Sequence, residues 1–313
     1  MFTARMDAPA PDEGAAPWRG DTDDSVDEEI AHPTLTYQRT GRVARLTFDR
    51  PAAGNAITAD TPFDLAAAVE RADRDPRVHV ILLSGRGKGF CGGYDLSLWA
   101  EQRIANHEPG EVWDPMVDYA MMSRFTKGYA SLLHADKPTV AKVHGFCVAG
   151  GTDIALHCDQ IVIADDAKIG YPPTRVWGVP SAGMWAHRLG DQRAKRLLLT
   201  GDCLSGVEAA AWGLAVESAP ADRLDERAEV LVQRIAAMPV NQLMMVKLAL
   251  NHALLSQGVA TSQMVSTVFD GISRHTREGY AFQQRAEAVG FRQAVRERDG
   301  SPYDDAGPST HKG

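Results

Sequence analysis

Two glycine clusters, each placed directly after a run of apolar residues, set the tightest limits on what this chain can fold into. The first is VILLSGRGKGFCGGYDL, in which Gly85, Gly87, Gly89, Gly92 and Gly93 crowd the end of the run. The second, about 55 residues further on, is PTVAKVHGFCVAGGTDI, where Gly150 and Gly151 precede Asp153 and a helix-forming stretch. A short, unbroken apolar run bounded by turn residues reads as a strand buried on both faces, so each cluster is predicted to sit at the end of a central strand. Glycine has no β-carbon, and backbone N–H groups in such loops can therefore approach a ligand closely. Two N–H groups converging from separate loops hold a developing oxyanion, and a helix that starts at the second loop adds the positive end of its dipole. That is chemistry with no metal, no nucleophile and no bound redox cofactor, suited to stabilising an enolate.

Other glycine-loop chemistries fail on context. A dinucleotide fingerprint needs G-x-G-x-x-G opening a helix, with an acid at the end of a following strand. Here Phe90 stands where a glycine is required and no second strand follows in time. A phosphate-binding Walker loop needs Ser or Thr after Gly-Lys, but Gly87-Lys88 is followed by Gly89. The four cysteines, Cys91, Cys147, Cys158 and Cys203, show no C-x-x-C spacing and sit among apolar residues, as reduced packed thiols do. The net charge of −8 is concentrated at the N-terminus: residues 1–31 carry nine acids against Arg5 and Arg19, so the rest of the chain is nearly neutral. No basic stripe offers itself to nucleic acid. No apolar stretch is long enough to span a membrane and the N-terminus lacks the pattern of an export signal, which makes the cytoplasm the expected compartment.

The acidic, Ala- and Pro-rich segment 1–33 is expected to be a disordered tail, because it cannot bury enough apolar surface to offset its ordering entropy. A hairpin follows, LTYQR and RVARLTF, reversing at Thr40-Gly41. After the turn-rich DRPAAGNAI, apolar residues at Phe63, Leu65, Ala66, Val69 and Ala72 predict a helix. Then come the strand VHVILLSG, a helix over about 115–133, the strand PTVAKVHGF, the strand DQIVIAD, helices in AKRLLLTG and SGVEAAAWG, and a strand in LAVESA. Helices take over from Arg223. Strands alternating with helices, followed by helices alone, indicate an α/β architecture with an α-helical C-terminal part. The expected boundaries are a core over 34–237, a helical subdomain over 238–298 and a loose tail over 299–313.

With these motifs in hand the chain resembles the crotonase superfamily, the enoyl-CoA hydratase/isomerase group. The resemblance is carried by DRPAAGNAI, GKGFCGGYDL, KPTVAKVHGFCVAGGTDIALHCD, IADDAKIGYPPTRVWGVP, LLLTGD and REGYAFQQR, in order over roughly 36–296. It implies a spiral of ββα units, a helical C-terminal trimerisation subdomain, and a homotrimer or dimer of trimers. It also implies an acyl-CoA substrate, with coenzyme A entering as part of that substrate and no separately bound cofactor or metal. By that resemblance the oxyanion hole falls on the backbone N–H groups of Tyr94 and Gly150. Gly93, Tyr94, Asp95, Leu96, Gly150, Tyr171 and Trp177 would line the substrate site, and Lys88 is either a coenzyme phosphate contact or a solvated loop lysine.

The match breaks at the catalytic acids. Hydratases of this group use two glutamates, and water adds across a double bond only if both its ends are managed. Here the first position is Asp153 and the second is Pro173, which has no acid to offer. The segment PSAGMWAHRLG is also shorter than the usual glycine-rich stretch, which leaves Ser181 without an assigned role. Asp153 reads either as the acid/base or as a helix-N-terminal aspartate held by the dipole. Burial would raise its pKa and the helix terminus would lower it. His157, four residues on, reads either as its partner on one helix face or as a packed, hydrogen-bonded histidine. Two functions stay open: an acyl-CoA enzyme of hydratase or isomerase type, and an acyl-CoA binding protein that keeps the hole and has lost the acid pair.

Overall fold

The computed structural model describes residues 26–95 and 112–300. The hairpin forms as expected, with β2 (Leu35–Thr40) paired antiparallel to β3 (Val43–Phe48) and Leu35 opposite Phe48. The turn is made possible by Gly41 at φ +54°. From β3 the chain winds as a spiral. Parallel strands β4 (Val80–Gly85), β5 (Thr139–Val143), β7 (Gln160–Ala164) and β10 (Glu217–Ala219) are added one beside the next to give a seven-stranded sheet among the described residues.

After β4, β5 and β7 the chain makes a second, short strand contact before entering a helix. These contacts are the Cys91 bridge to Cys147, then β6 (Phe146–Val148), then β8 (Lys168–Gly170), and β9 (Cys203–Ser205) closes the small sheet. The helices that follow are α2 (Pro115–His134) and α3 (Gly150–His157), and, after β8, a 3-10 turn and α4 (Ala182–Leu189). Strand, short strand, helix, repeated, is the ββα spiral that the resemblance implied. The sequence alone read PTVAKVHGF as one strand. It is two, because Gly145 at φ +60° turns the chain between the sheets, where a β-carbon would come within 1.9 Å of the Lys88 carbonyl oxygen.

One expectation is corrected. Val26–Ala31, assigned to the disordered tail on its acidity, form strand β1 at the sheet edge, antiparallel to β2 with Ile30 opposite Tyr37. Its acids are answered from neighbouring elements: Arg71 pairs with Glu28, and Gln38 donates to Glu29 at 3.0 Å. Ile30 packs on the core. Composition averaged over the whole segment hid this short amphipathic stretch. Charged residues on a terminal strand also protect the edge from pairing with another chain.

The helix α1 (Thr61–Arg74) buries Leu65, Val69 and Ala72 of the predicted stripe together with Ala68, whereas Ala66 is half-buried and Phe63 is turned out to the surface. Among the described residues α5 (Asp191–Thr200), α6 (Gly206–Trp212) and α7 (Leu224–Ala236) complete the core, and α8 (Val240–Ser256), α9 (Val259–Arg274), α10 (Arg277–Val289) and α11 (Phe291–Asp299) follow. Buried Lys247 stitches α8 to the core, donating to the carbonyls of Leu132 and Lys137 at 3.0 Å each and pairing with Asp159 at 2.9 Å. Helix α9 lies close on α2, where a β-carbon at Gly271 would stand 3.0 Å from Asp118 Cβ. Helices α10 and α11 share a small apolar cluster, Phe282, Ala286 and Ala294, against which Val176 and Trp177 pack.

Candidate active site

The two glycine loops meet. Asn55, held at φ +54°, which Asn tolerates better than most residues, accepts from the Arg50 amide and donates to the carbonyls of Arg86 and Gly89. This fixes the first loop to the turn that precedes it. Further along, Ile57 bridges Tyr94: the Ile57 amide donates to the Gly93 carbonyl and the Asp95 amide to the Ile57 carbonyl, at 2.8 and 2.9 Å. That ladder uses the groups flanking Tyr94, so the Tyr94 amide faces away from Ile57. Beside it lies the second loop: a β-carbon at Gly93 would lie 2.6 Å from Ala149 Cβ and 3.4 Å from the Gly150 nitrogen.

At the second loop the chain turns from β6 into α3 through Ala149, at φ +53° and ψ −131°. This region of the backbone map is adopted almost only by glycine, and a non-glycine residue there is strained backbone of the kind that collects at functional sites. Gly150 and Gly151 then begin a helix whose residues are all buried. Neither glycine tolerates a side chain. A β-carbon at Gly151 would meet the Cys91 carbonyl oxygen at 2.5 Å, and one at Gly150 would meet Ile57 Cδ1 and Tyr94 Cε2 at 2.9 Å each. The Gly150 amide has no hydrogen-bond partner among the described residues. It stands at the positive end of the helix, beside the loop that carries Tyr94.

Asp153 lies one turn into α3 and is 6% exposed. Its Oδ1 accepts from the Ser181 amide at 2.9 Å, and the Ser181 hydroxyl also bonds the carboxyl. Burial outweighs both bonds and pushes the carboxyl up to about 7. Asp153 also ties α3 to the start of α4, and Ser181, which the sequence left unassigned, is its partner there. His157 is not a partner of the carboxylate: its Nδ1 lies 2.6 Å from the Asp153 main-chain oxygen, so it donates within the helix. Burial lowers its pKa to about 4 and keeps it neutral.

Around Asp153 stands a set of hydroxyls. Tyr129, fully buried, donates to the Tyr94 hydroxyl at 3.2 Å, and the Tyr94 ring packs edge-on against Phe125 at 5.5 Å. Tyr171 is 4% exposed; its carbonyl accepts from the Thr174 hydroxyl at 3.1 Å, while its own hydroxyl makes no hydrogen bond to a described residue. Burial raises all three phenols, and the Asp153 charge raises them further, so each stays protonated.

The remaining residues singled out by sequence fall as follows. Asp95 pairs with Arg50 at 2.9 Å and so anchors its loop. Trp177 leans on Phe282, centroids 5.2 Å apart, linking the 171–181 segment to α10. Pro173 lies in the 3-10 turn Pro172–Arg175. Leu96 lies outside the described residues. Among the described residues no three His, Cys, Asp or Glu side chains are grouped to hold a metal.

Sequence reasoning missed Tyr129 and a charged cluster on α9. Asp270 accepts from the Val179 amide at 3.1 Å and pairs with Arg274, which also donates to Asp118 on α2 at 3.0 Å. Arg274 is 7% exposed. The available signal was an acid and an arginine four residues apart in the otherwise weakly polar VFDGISR.

Comparison with known proteins shows the family and the fold. Residues 38–289 match the sequence profile of the enoyl-CoA hydratase/isomerase family. A probable enoyl-CoA hydratase of Rhizobium meliloti is 32% identical over 228 residues, covering 72% of this chain and 84% of its own. The fold is similar to the crystal structure of an enoyl-CoA hydratase from Mycobacterium smegmatis, with a TM-score of 0.83 and 68% identity, covering 86% of this chain and 94% of that one. It is also similar to an enoyl-CoA hydratase/isomerase from Xanthobacter autotrophicus Py2, at a TM-score of 0.78 and 26% identity over 86% of this chain and 98% of that one.

Proposed function

The chain belongs to the enoyl-CoA hydratase/isomerase family, and on that premise we propose that it is an acyl-CoA enzyme working through a thioester enolate, with Asp153 as the group that moves the α-proton. One observation carries this reading: the Gly93–Tyr94 loop and Gly150 lie so close that neither glycine has room for a β-carbon, and a buried carboxyl stands one helical turn beyond Gly150. The Tyr94 and Gly150 amides hold the thioester oxygen as charge builds on it. Removing one such donor costs about 3 to 4 kcal/mol in comparable oxyanion holes.

With its pKa near 7, Asp153 is present in both protonation states at neutral pH, as a group that gives and takes a proton should be. The neutral tyrosines exclude water from the acyl side and offer hydroxyls without competing for that proton. Coenzyme A is part of the substrate. The exposed apolar side chains Met245, Leu248 and Leu250 on α8 and Met264 and Phe269 on α9 support a homotrimer or a dimer of trimers. No helix among the described residues is long and apolar enough to cross a membrane.

The test is loss of the conjugated-thioester absorbance of crotonyl-CoA and of a longer 2-enoyl-CoA. Turnover that falls by about a hundredfold or more in Asp153→Asn is expected, and unchanged turnover in that variant removes Asp153 from the chemistry. Pro173 favours a second reading, an acyl-CoA binding protein, which calorimetric binding without turnover of enoyl, dienoyl or 3-hydroxyacyl thioesters would support.

A further inference from the structure

Adding water to an enoyl thioester needs two proton transfers. The oxygen of water must lose a proton as it attacks Cβ, and Cα must gain one. Asp153 serves the second. Pro173, at the position of the group's second glutamate, has no acid, yet the same neighbourhood contains a carboxylate from another part of the chain. A single point, the place of a β-carbon on Gly178, lies 3.3 Å from Pro173 Cβ, 3.4 Å from the Tyr171 hydroxyl and 3.7 Å from Asp270 Oδ1.

Asp270 is built into this place. The Val179 amide holds Oδ1 at 3.1 Å, and Gly178 donates to Ser273 one turn further along α9 at 2.8 Å, so the 178–179 backbone is clamped to the helix. Arg274 holds the other oxygen, and Asp118 holds Arg274 from α2. The Asp270 charge is felt at Asp153, Tyr94 and Tyr171. A carboxylate has about four lone-pair positions, and these contacts leave some of them for water.

We propose that Asp270 is the general base for water at this site, supplying from the C-terminal helix α9 the carboxylate that Pro173 does not. This rests on the hydratase reading above. Asp270 takes a proton from water as its oxygen bonds to Cβ, and the C=C electrons move to the thioester oxygen held by the Tyr94 and Gly150 amides. As the enolate collapses, Cα takes the proton of the Asp153 carboxyl. Water has then been added, and one proton passing from Asp270 to Asp153 through solvent restores the starting state. The Tyr171 hydroxyl orients the water between them.

The experiment separates the two transfers in the full-length protein. Enolate formation is read as wash-in of solvent deuterium at the α-carbon of butyryl-CoA, and water addition as absorbance loss of crotonyl-CoA. In Asp270→Asn, hydration is expected to fall about a hundredfold or more while wash-in stays within about threefold of wild type. Hydration at the wild-type rate overturns the assignment, and so does an equal fall in both reactions, which would mark Asp270 as structural only.

Asp270→Glu keeps a charge opposite Arg274 and shifts the carboxyl by one methylene. It is expected to change hydration about tenfold with wash-in unaltered, and unaltered hydration in this variant also overturns the assignment. Wild-type protein that washes in deuterium without hydrating any enoyl thioester removes the role of Asp270 but leaves the enolate reading standing. Wild-type protein that does neither removes both.

Discussion

Placing a methyl group on Gly150 tests the oxyanion hole where it is most tightly built. A β-carbon there would stand 2.9 Å from Ile57 Cδ1, 2.9 Å from Tyr94 Cε2 and 3.3 Å from Tyr94 Cδ2. None of these neighbours yields easily. Ile57 is fully buried, its backbone is bridged to Tyr94, and the Tyr94 ring is held by Phe125 and the Tyr129 hydroxyl. The displacement is therefore passed to the two amides that hold the thioester oxygen. Overpacking costs about 1 to 3 kcal/mol. Gly150 is the first residue of α3, where Ala gains little over Gly as a helix former, so Gly150→Ala should lose up to about 3 kcal/mol of stability.

At about 2 to 4 °C per kcal/mol for a chain of this size, the melting temperature should fall by no more than about 12 °C. Catalysis should lose far more, about a hundredfold to a thousandfold in kcat, as when one oxyanion donor is removed. The assay is kcat for crotonyl-CoA hydration beside thermal denaturation. Gly213→Ala is the control: at φ +82° with nothing within 4 Å of its β-carbon, it should cost about 1 to 2 kcal/mol of backbone strain and leave kcat alone. If Gly150→Ala retained kcat within about threefold of wild type, the reasoning that places the hole at these two amides would be refuted.

Two further predictions concern charge. Hydration uses the protonated Asp153, so its kcat/KM should fall as pH rises through about 7, while the reverse dehydration should rise over the same range. The folded-state pKa of Asp153 is raised, so its contribution to stability is fully present below the unfolded-state pKa and is lost as pH rises through about 7. Asp153→Asn should therefore flatten the fall in stability between pH 5 and 8, by at most ~3 kcal/mol; an unchanged profile would contradict the assignment. Arg274→Met leaves Asp118 and Asp270 without their shared cation. It should cost about 3 to 5 kcal/mol, a fall in melting temperature on the order of 10 °C, and Asp118→Asn in the same chain should restore part of it.

The central strands and most helices were legible because each is a local pattern: an unbroken apolar run for β4 and a helical stripe for α1. The glycine loops were legible for a different reason, since residues that no side chain may replace announce close approach. Strand β1 was not, because its acids are tolerable only once Arg71 and Gln38 stand opposite them, and those residues come from elsewhere in the sequence. The break between β5 and β6 turns on one glycine whose clash partner, Lys88, is far away in the chain. At the site, Asp153 was found by its place after Gly150, whereas Tyr129, Ser181 and Asp270 join it only through folding. Trp177, expected at the substrate, leans on Phe282, a contact that no spacing rule encodes.

The central claim, that two backbone amides hold a thioester enolate while one buried aspartate moves its proton, is tested most directly by deuterium exchange. Butyryl-CoA in deuterated buffer has no double bond to hydrate, so wash-in at its α-carbon reports enolate formation alone, read by mass spectrometry. Wild-type protein should exchange the α-proton, and Asp153→Asn should lose that exchange by about a hundredfold or more while still binding the thioester. Exchange that persists in Asp153→Asn, or hydration by a wild-type protein that shows no exchange, would contradict the account.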